Sequence, residues 1–126
     1  MIFPPSIDPY SWTIGSIANL ILQVNNGAKP VASIQTHNLF LQDCIEEIKN
    51  AGLLYISETN GKTHTTLYIF KDSIYEHIIG YLIGNPYNKS ILLIWVEGKM
   101  FGYSDKSISE FIMEISNEKV NENRGI

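Results

Sequence analysis

The chain has 126 residues, 44% of them hydrophobic and 17% charged, with a formal net charge of −4. That balance fits one domain, residues 1–126, with a packed core, and excludes both an intrinsically disordered chain and a pair of full domains. Apolar runs such as Ile91 to Val96 fall far short of the ~20 residues needed to cross a bilayer, so no membrane span is expected.

Met1-Ile2-Phe3-Pro4-Pro5 lacks the basic and apolar regions of a signal peptide, and Cys44 is the sole cysteine. The expected compartment is therefore the reducing cytoplasm. With Pro4, Pro5 and Pro9, residues 1–10 read as an extended arm. Ile14, Ile17, Ile21 and Val24 then follow helical spacing, which predicts a helix over 12–25 that stops at Asn25-Asn26-Gly27. Pro30 forces an extended path into a short strand near 31–36. In the second helix Leu41, Cys44, Ile45 and Ile48 make the apolar stripe, Asn38 or Thr36 offers a cap, and Gly52 supplies the left-handed stop.

Residues 53–70 read as a β-hairpin turning at Asn60-Gly61 through a two-residue type I′ turn. That turn would pair Thr59 with Lys62 and Tyr55 with Thr66. It would set Leu54, Ile56, Leu67 and Ile69 on one face, against the helices. Leu53, Tyr55, Tyr68 and Phe70 would share the other. Ser73 to Glu76 forms a capping box for a third helix, whose face is expected to hold Ile74, Ile78, Tyr81 and Leu82. Residues 89–101 admit a buried strand or a helix, and the immediate restart after Gly102 favours helix. A last helix carries Ile108, Phe111, Ile112 and Ile115, and the polar tail 117–126 reads as frayed. The expected fold class is α+β, a three-stranded antiparallel sheet with about five helices packed on one face.

Gly98-Lys99-Met100-Phe101-Gly102-Tyr103-Ser104-Asp105, followed by Ile108 and Phe111-Ile112, resembles the ending of small uncharacterised bacterial proteins from phage or plasmid contexts. Those proteins often read G-K-L-F-G-Y-S-D before a short acidic helix. The resemblance covers residues 98–112. It implies a helix–tight turn–helix ending and a mobile-element origin, and no activity.

No catalytic, cofactor-binding or metal site is nominated. His37, Cys44, His64 and His77 show no metal-ligand spacing, and neither a nucleophile elbow nor a phosphate loop occurs. A Cys44, His37 and Asp43 constellation suffers because adjacent helical residues diverge by about 100°. Helix, strand, helix, hairpin is also the order of a winged-helix DNA binder. Against that reading, Arg124 is the sole arginine and the would-be reading helix carries Asp43, Glu46 and Glu47. Seven tyrosines, five phenylalanines and two tryptophans are instead many amphipathic aromatics for so small a core. The expectation is a non-enzymatic protein-interaction or small-ligand-binding accessory protein, homodimeric. Its interaction surface would be Leu53, Tyr55, Tyr68 and Phe70, with Trp12 beside them. A winged-helix regulator is the alternative, and an unrecognised enzyme the third reading.

Overall fold

Asp8 stands just outside the first helix, and its carboxylate accepts the Ser11 N–H at 2.8 Å and the Ser11 hydroxyl at 2.9 Å. Pro9 takes a first-turn position, where its missing N–H costs nothing. Helix α1 therefore runs Pro9–Asn25, and residues 9 and 10 are helical rather than part of an extended arm. The structure is a computed structural model that describes residues 8–84 and 90–124, with side chains to residue 117. Residues 1–7 of the expected arm lie outside the described residues.

Strand β1 is Val31–His37, and one 3-10 turn, Asn38–Phe40, leads into α2, Leu41–Asn50. The His37 ring, through Nδ1, accepts the Leu39 N–H at 3.1 Å, and Thr36 is buried, so neither sequence-proposed cap is used. Helix α2 ends on Gly52 at φ +75°, in the left-handed region that glycine enters without a Cβ clash.

Strands β2, Leu54–Asn60, and β3, His64–Phe70, form the hairpin, with β3 central in the order β1-β3-β2, all antiparallel. The register differs from the two-residue expectation. Asn60 pairs with His64 and Tyr55 with Ile69, which leaves Gly61-Lys62-Thr63 as the link. A type I′ turn needs positive φ at both central residues, and only Gly61, at φ +68°, has it. A distant residue takes up the groups of this link. The Asn38 N–H donates to the Thr63 carbonyl at 2.7 Å and its amide to the Lys62 carbonyl at 3.3 Å. Its side-chain oxygen accepts the Thr65 hydroxyl at 2.6 Å.

Moving the register by an odd number of residues exchanges the faces of one strand relative to the other. Leu53 and Tyr55 thus join Leu67, Ile69 and Ala32 beneath α1 and α2, in a core with Ile17, Ile21, Val24, Cys44 and Ile48. Phe70, Tyr68 and Ile56 join Val31 on the opposite face. That face is covered by α3, Ile74–Gly84, and by the end of α4, Ile91–Met100, through Ile79, Tyr75, Leu82 and Met100. Helices therefore pack on both faces of the sheet, not one.

Asp72 accepts the Ile74 N–H at 3.1 Å at the start of α3. The buried side of α3 centres on Ile79, while Ile74 and Tyr81, expected on the inner stripe, are exposed. Residues 91–100 are helical, as the restart after Gly102 suggested, with Ser90 accepting the Leu93 N–H at 3.3 Å. Gly102, at φ +81°, turns the chain against Ala28 and Lys29 into α5, Asp105–Arg124, which continues beyond residue 117. Ile108 anchors α5, and Phe111 and Met113 remain more than half exposed.

Candidate functional site

The reactive side chains do not converge. Cys44 is fully buried, and its thiol faces the Thr36 hydroxyl at 4.0 Å rather than a histidine. Asp43 is engaged by the Tyr10 hydroxyl instead. Sequence spacing missed the pairing of His37 with His64 across β1 and β3, with ring centroids 5.1 Å apart. One ring nitrogen of each is occupied, His37 by the Leu39 N–H and His64 by the Thr63 hydroxyl at 2.8 Å. Among the described residues no group of three His, Cys, Asp or Glu side chains gathers to hold a metal ion.

Burial raises the Cys44 thiol above its ordinary value, despite the opposing Thr36 hydrogen bond. Burial also raises the Tyr68 hydroxyl, with the charges of Glu58 and Glu97 adding to it. A raised folded-state value stabilises fully below the unfolded value and is lost as pH rises through the folded one. Melting temperature should therefore fall above about pH 9, and the double change Cys44→Ala with Tyr68→Phe should flatten that fall. Native Cys44 should also react with a thiol reagent at least ~10³-fold more slowly than in urea, because access needs unfolding worth about 5 kcal/mol. Rapid native labelling would contradict the buried position.

The five residues proposed from sequence as an interaction surface are not brought together. Leu53 and Phe70 are buried, on opposite faces of the sheet, with Tyr55 beside the first and Tyr68 beside the second. Trp12 lies half-buried on α1. The faces that would have formed the patch are the two cores.

What the chain leaves partly open is an edge, exposed at Ser33 and Gln35 and covered at Val31 and Ala32. β1 borders the sheet, and among the described residues no strand lies on its outer side. Its seven residues, Val-Ala-Ser-Ile-Gln-Thr-His, include no Lys, Arg, Asp, Glu or Pro, and their pairing with β3 runs without a bulge. Charges, prolines and bulges are the usual devices that protect an edge from pairing. β2, on the opposite edge, carries Glu58.

Beside that edge lies a groove of about 620 Å³. Its lining includes three consecutive residues of β1: Val31, Ala32 and Ser33. Consecutive strand residues point to opposite faces, so a groove touching all three runs along the strand margin rather than over one face. Ile94 and Ile108, both buried, complete its floor, and the exposed Phe111 and Tyr103 stand at its rim. An open main-chain edge next to an apolar trough can hold an extended polypeptide: the edge supplies hydrogen bonds and the trough takes side chains. The extended path after Pro30 identified the strand, but nothing local in the sequence marks a strand as the edge.

No protein-family model matches this chain, and no curated protein does. None of its described helices is long and apolar enough to cross a membrane.

Proposed function

We propose that this protein is a non-enzymatic interaction module that binds an extended polypeptide strand along β1 and in the adjoining groove. The observation that carries this reading is the uncharged, bulge-free edge of β1, exposed at Ser33 and Gln35, beside a groove whose floor includes the buried Val31, Ala32, Ile94 and Ile108. A small-ligand site would gather a few converging polar groups in a deep pocket. This groove has Lys29, Glu97 and Ser107 in its lining, but it runs alongside a strand rather than closing into a deep pocket. The buried lone cysteine suits a reducing cytoplasm, and the resemblance over residues 98–112 suits an accessory protein of a mobile element.

The chain order favours a winged-helix DNA binder as the second reading. Its reading helix would be α2, whose exposed side carries Asp43, Glu46 and Glu47, and that charge opposes a phosphate backbone. Only a single 3-10 turn separates α2 from β1, where a helix-turn-helix would need a preceding helix.

The test is selection of binders from a random peptide library, followed by mapping of amide shifts. Selected peptides should perturb residues 31–37 and Phe111, and Phe111→Glu should weaken them about tenfold or more, as loss of an aromatic anchor does. Peptides that perturb only other surfaces would overturn the proposal. So would retention of duplex DNA at nanomolar protein, far tighter than the ~10⁻⁴–10⁻⁶ M of non-specific binding.

A further inference from the structure

We infer that the polypeptide bound beside β1 is a chain end: its last residues run antiparallel to β1, and its terminal carboxylate meets Lys29. This inference rests on the proposed strand-binding role of that edge and names the class of segment it takes.

The edge is open along part of its length only. Ser33 and Gln35 are exposed, whereas Val31 and Ala32 are 0% and 1% exposed, so the chain itself closes that end. A strand added at Gln35 and Ser33 cannot continue past Ala32 in the plane of the sheet. It must stop there or leave the edge. The groove lies at this closed end, taking in Ser33 beside Val31 and Ala32, over a floor of Ile94 and Ile108. A terminal apolar side chain can settle on that floor, whereas an internal segment would have to bend away from it at once.

Both ends of a chain are charged, and the groove distinguishes them. Lys29 lines it, two residues before Val31, and its stem lies against the turn at Gly102, where an added Cβ would be 3.3 Å from Lys29 Cγ. Lys29 is half-buried, and no carboxylate among the described residues pairs with its ammonium. A partly desolvated cation without a counter-ion attracts an anion more strongly than one in open water does. Glu97 lines the groove too, but it also borders Tyr68 and is already engaged. The complementary end is therefore the carboxylate. Direction follows from position. β1 runs from Val31 to His37 and Lys29 precedes it, so a chain whose C-terminus lies at Lys29 enters from the His37 side. That makes it antiparallel to β1, the geometry β3 already uses on the other side and the slightly more stable one.

The probe is a library of random peptides about six residues long, a usual strand length, displayed with free C-termini and selected against the whole chain. Selected sequences should end in a large apolar residue. The best binder is then made as the free acid, as the C-terminal amide, and with Gly-Gly added after its last residue. Both altered forms should bind about tenfold or more weakly, as loss of a charge-assisted hydrogen bond predicts. Added salt should weaken the acid and spare the amide. Lys29→Gln should abolish the preference for acid over amide, and Lys29→Arg should keep it, with the melting temperature of both variants unchanged. Equal binding of acid and amide would overturn the inference, and so would an acid preference that survives Lys29→Gln. Binding that depends on an acidic side chain, with the free end dispensable, would likewise overturn it. These failures are separable from failure of the module. Amides that still shift residues 33–37 keep the strand-binding role and lose only the terminal carboxylate, whereas peptides that shift neither that edge nor Phe111 overturn both.

Discussion

Replacing Phe70 with alanine should lower the free energy of unfolding by about 3–5 kcal/mol, a large part of the ~5–15 kcal/mol that holds a domain of this size. Phe70 is 1% exposed, at the end of the central strand, where it pairs with Val31 on one side and Leu54 on the other. Its ring fills the core that joins Val31 to Ile79 and Met100, so it ties the sheet to α3 and α4. Truncation removes a buried aromatic and leaves a cavity that two helices and a strand cannot all move to fill. Its cross-strand neighbour Leu54 is 42% exposed and should cost under ~1 kcal/mol when cut to alanine. Urea denaturation of both variants, with unchanged m, is the measurement. The contrast bears on the register, since a two-residue turn would place Phe70 on a face away from the helices. A Phe70→Ala cost below ~1 kcal/mol would then favour that register.

Gly98→Leu should cost about 3 kcal/mol, although helix propensity alone would make almost any replacement of a mid-helix glycine favourable by up to ~1 kcal/mol. A Cβ at Gly98 would lie 2.6 Å from Cγ1 of Ile108 and 2.7 Å from its Cδ1. Ile108 is 3% exposed and is the deepest anchor of α5, so it has little room to yield. Crowding therefore outweighs propensity. Ile108→Ala alone should cost about 2–5 kcal/mol by leaving a cavity. In the double variant the leucine occupies the space that the isoleucine vacates, and the two costs should fall short of their sum by ~1–3 kcal/mol. Strict additivity in a denaturation double-mutant cycle would show that α4 and α5 do not meet at this point. Both residues also line the trough beside β1, so a longer side chain at Gly98 should narrow it.

Where physics is local, the residues themselves were enough. The stripe of Ile17, Ile21 and Val24 marked α1, and Leu41, Cys44, Ile45 and Ile48 marked α2, because a helix repeats every 3.6 residues whatever it packs against. Gly52 and Gly102 marked stops because a positive φ carries a penalty for any side chain with a Cβ. Buried Cys44 was legible from its place on the stripe, and the α+β class from the order of elements.

Tertiary contacts decided the rest. Asn60-Gly61 has the composition of a two-residue turn, yet Asn38, distant in sequence, takes the carbonyls of Lys62 and Thr63, and the reversal settles on three residues instead. That shift moved Leu53 and Tyr55 to one core and Tyr68 and Phe70 to the other, and so removed the aromatic patch. Helix α1 begins at Pro9, inside the segment expected to be extended, because the Asp8 carboxylate caps a helix beginning with proline. No local pattern states which strand lies at a margin, because a strand's sequence records the burial of its faces and not the neighbours at its edges. Only the order β1-β3-β2 left the uncharged strand Val31–His37 on the outside, and only the turn at Gly102 brought α4 and α5 alongside it to form the trough.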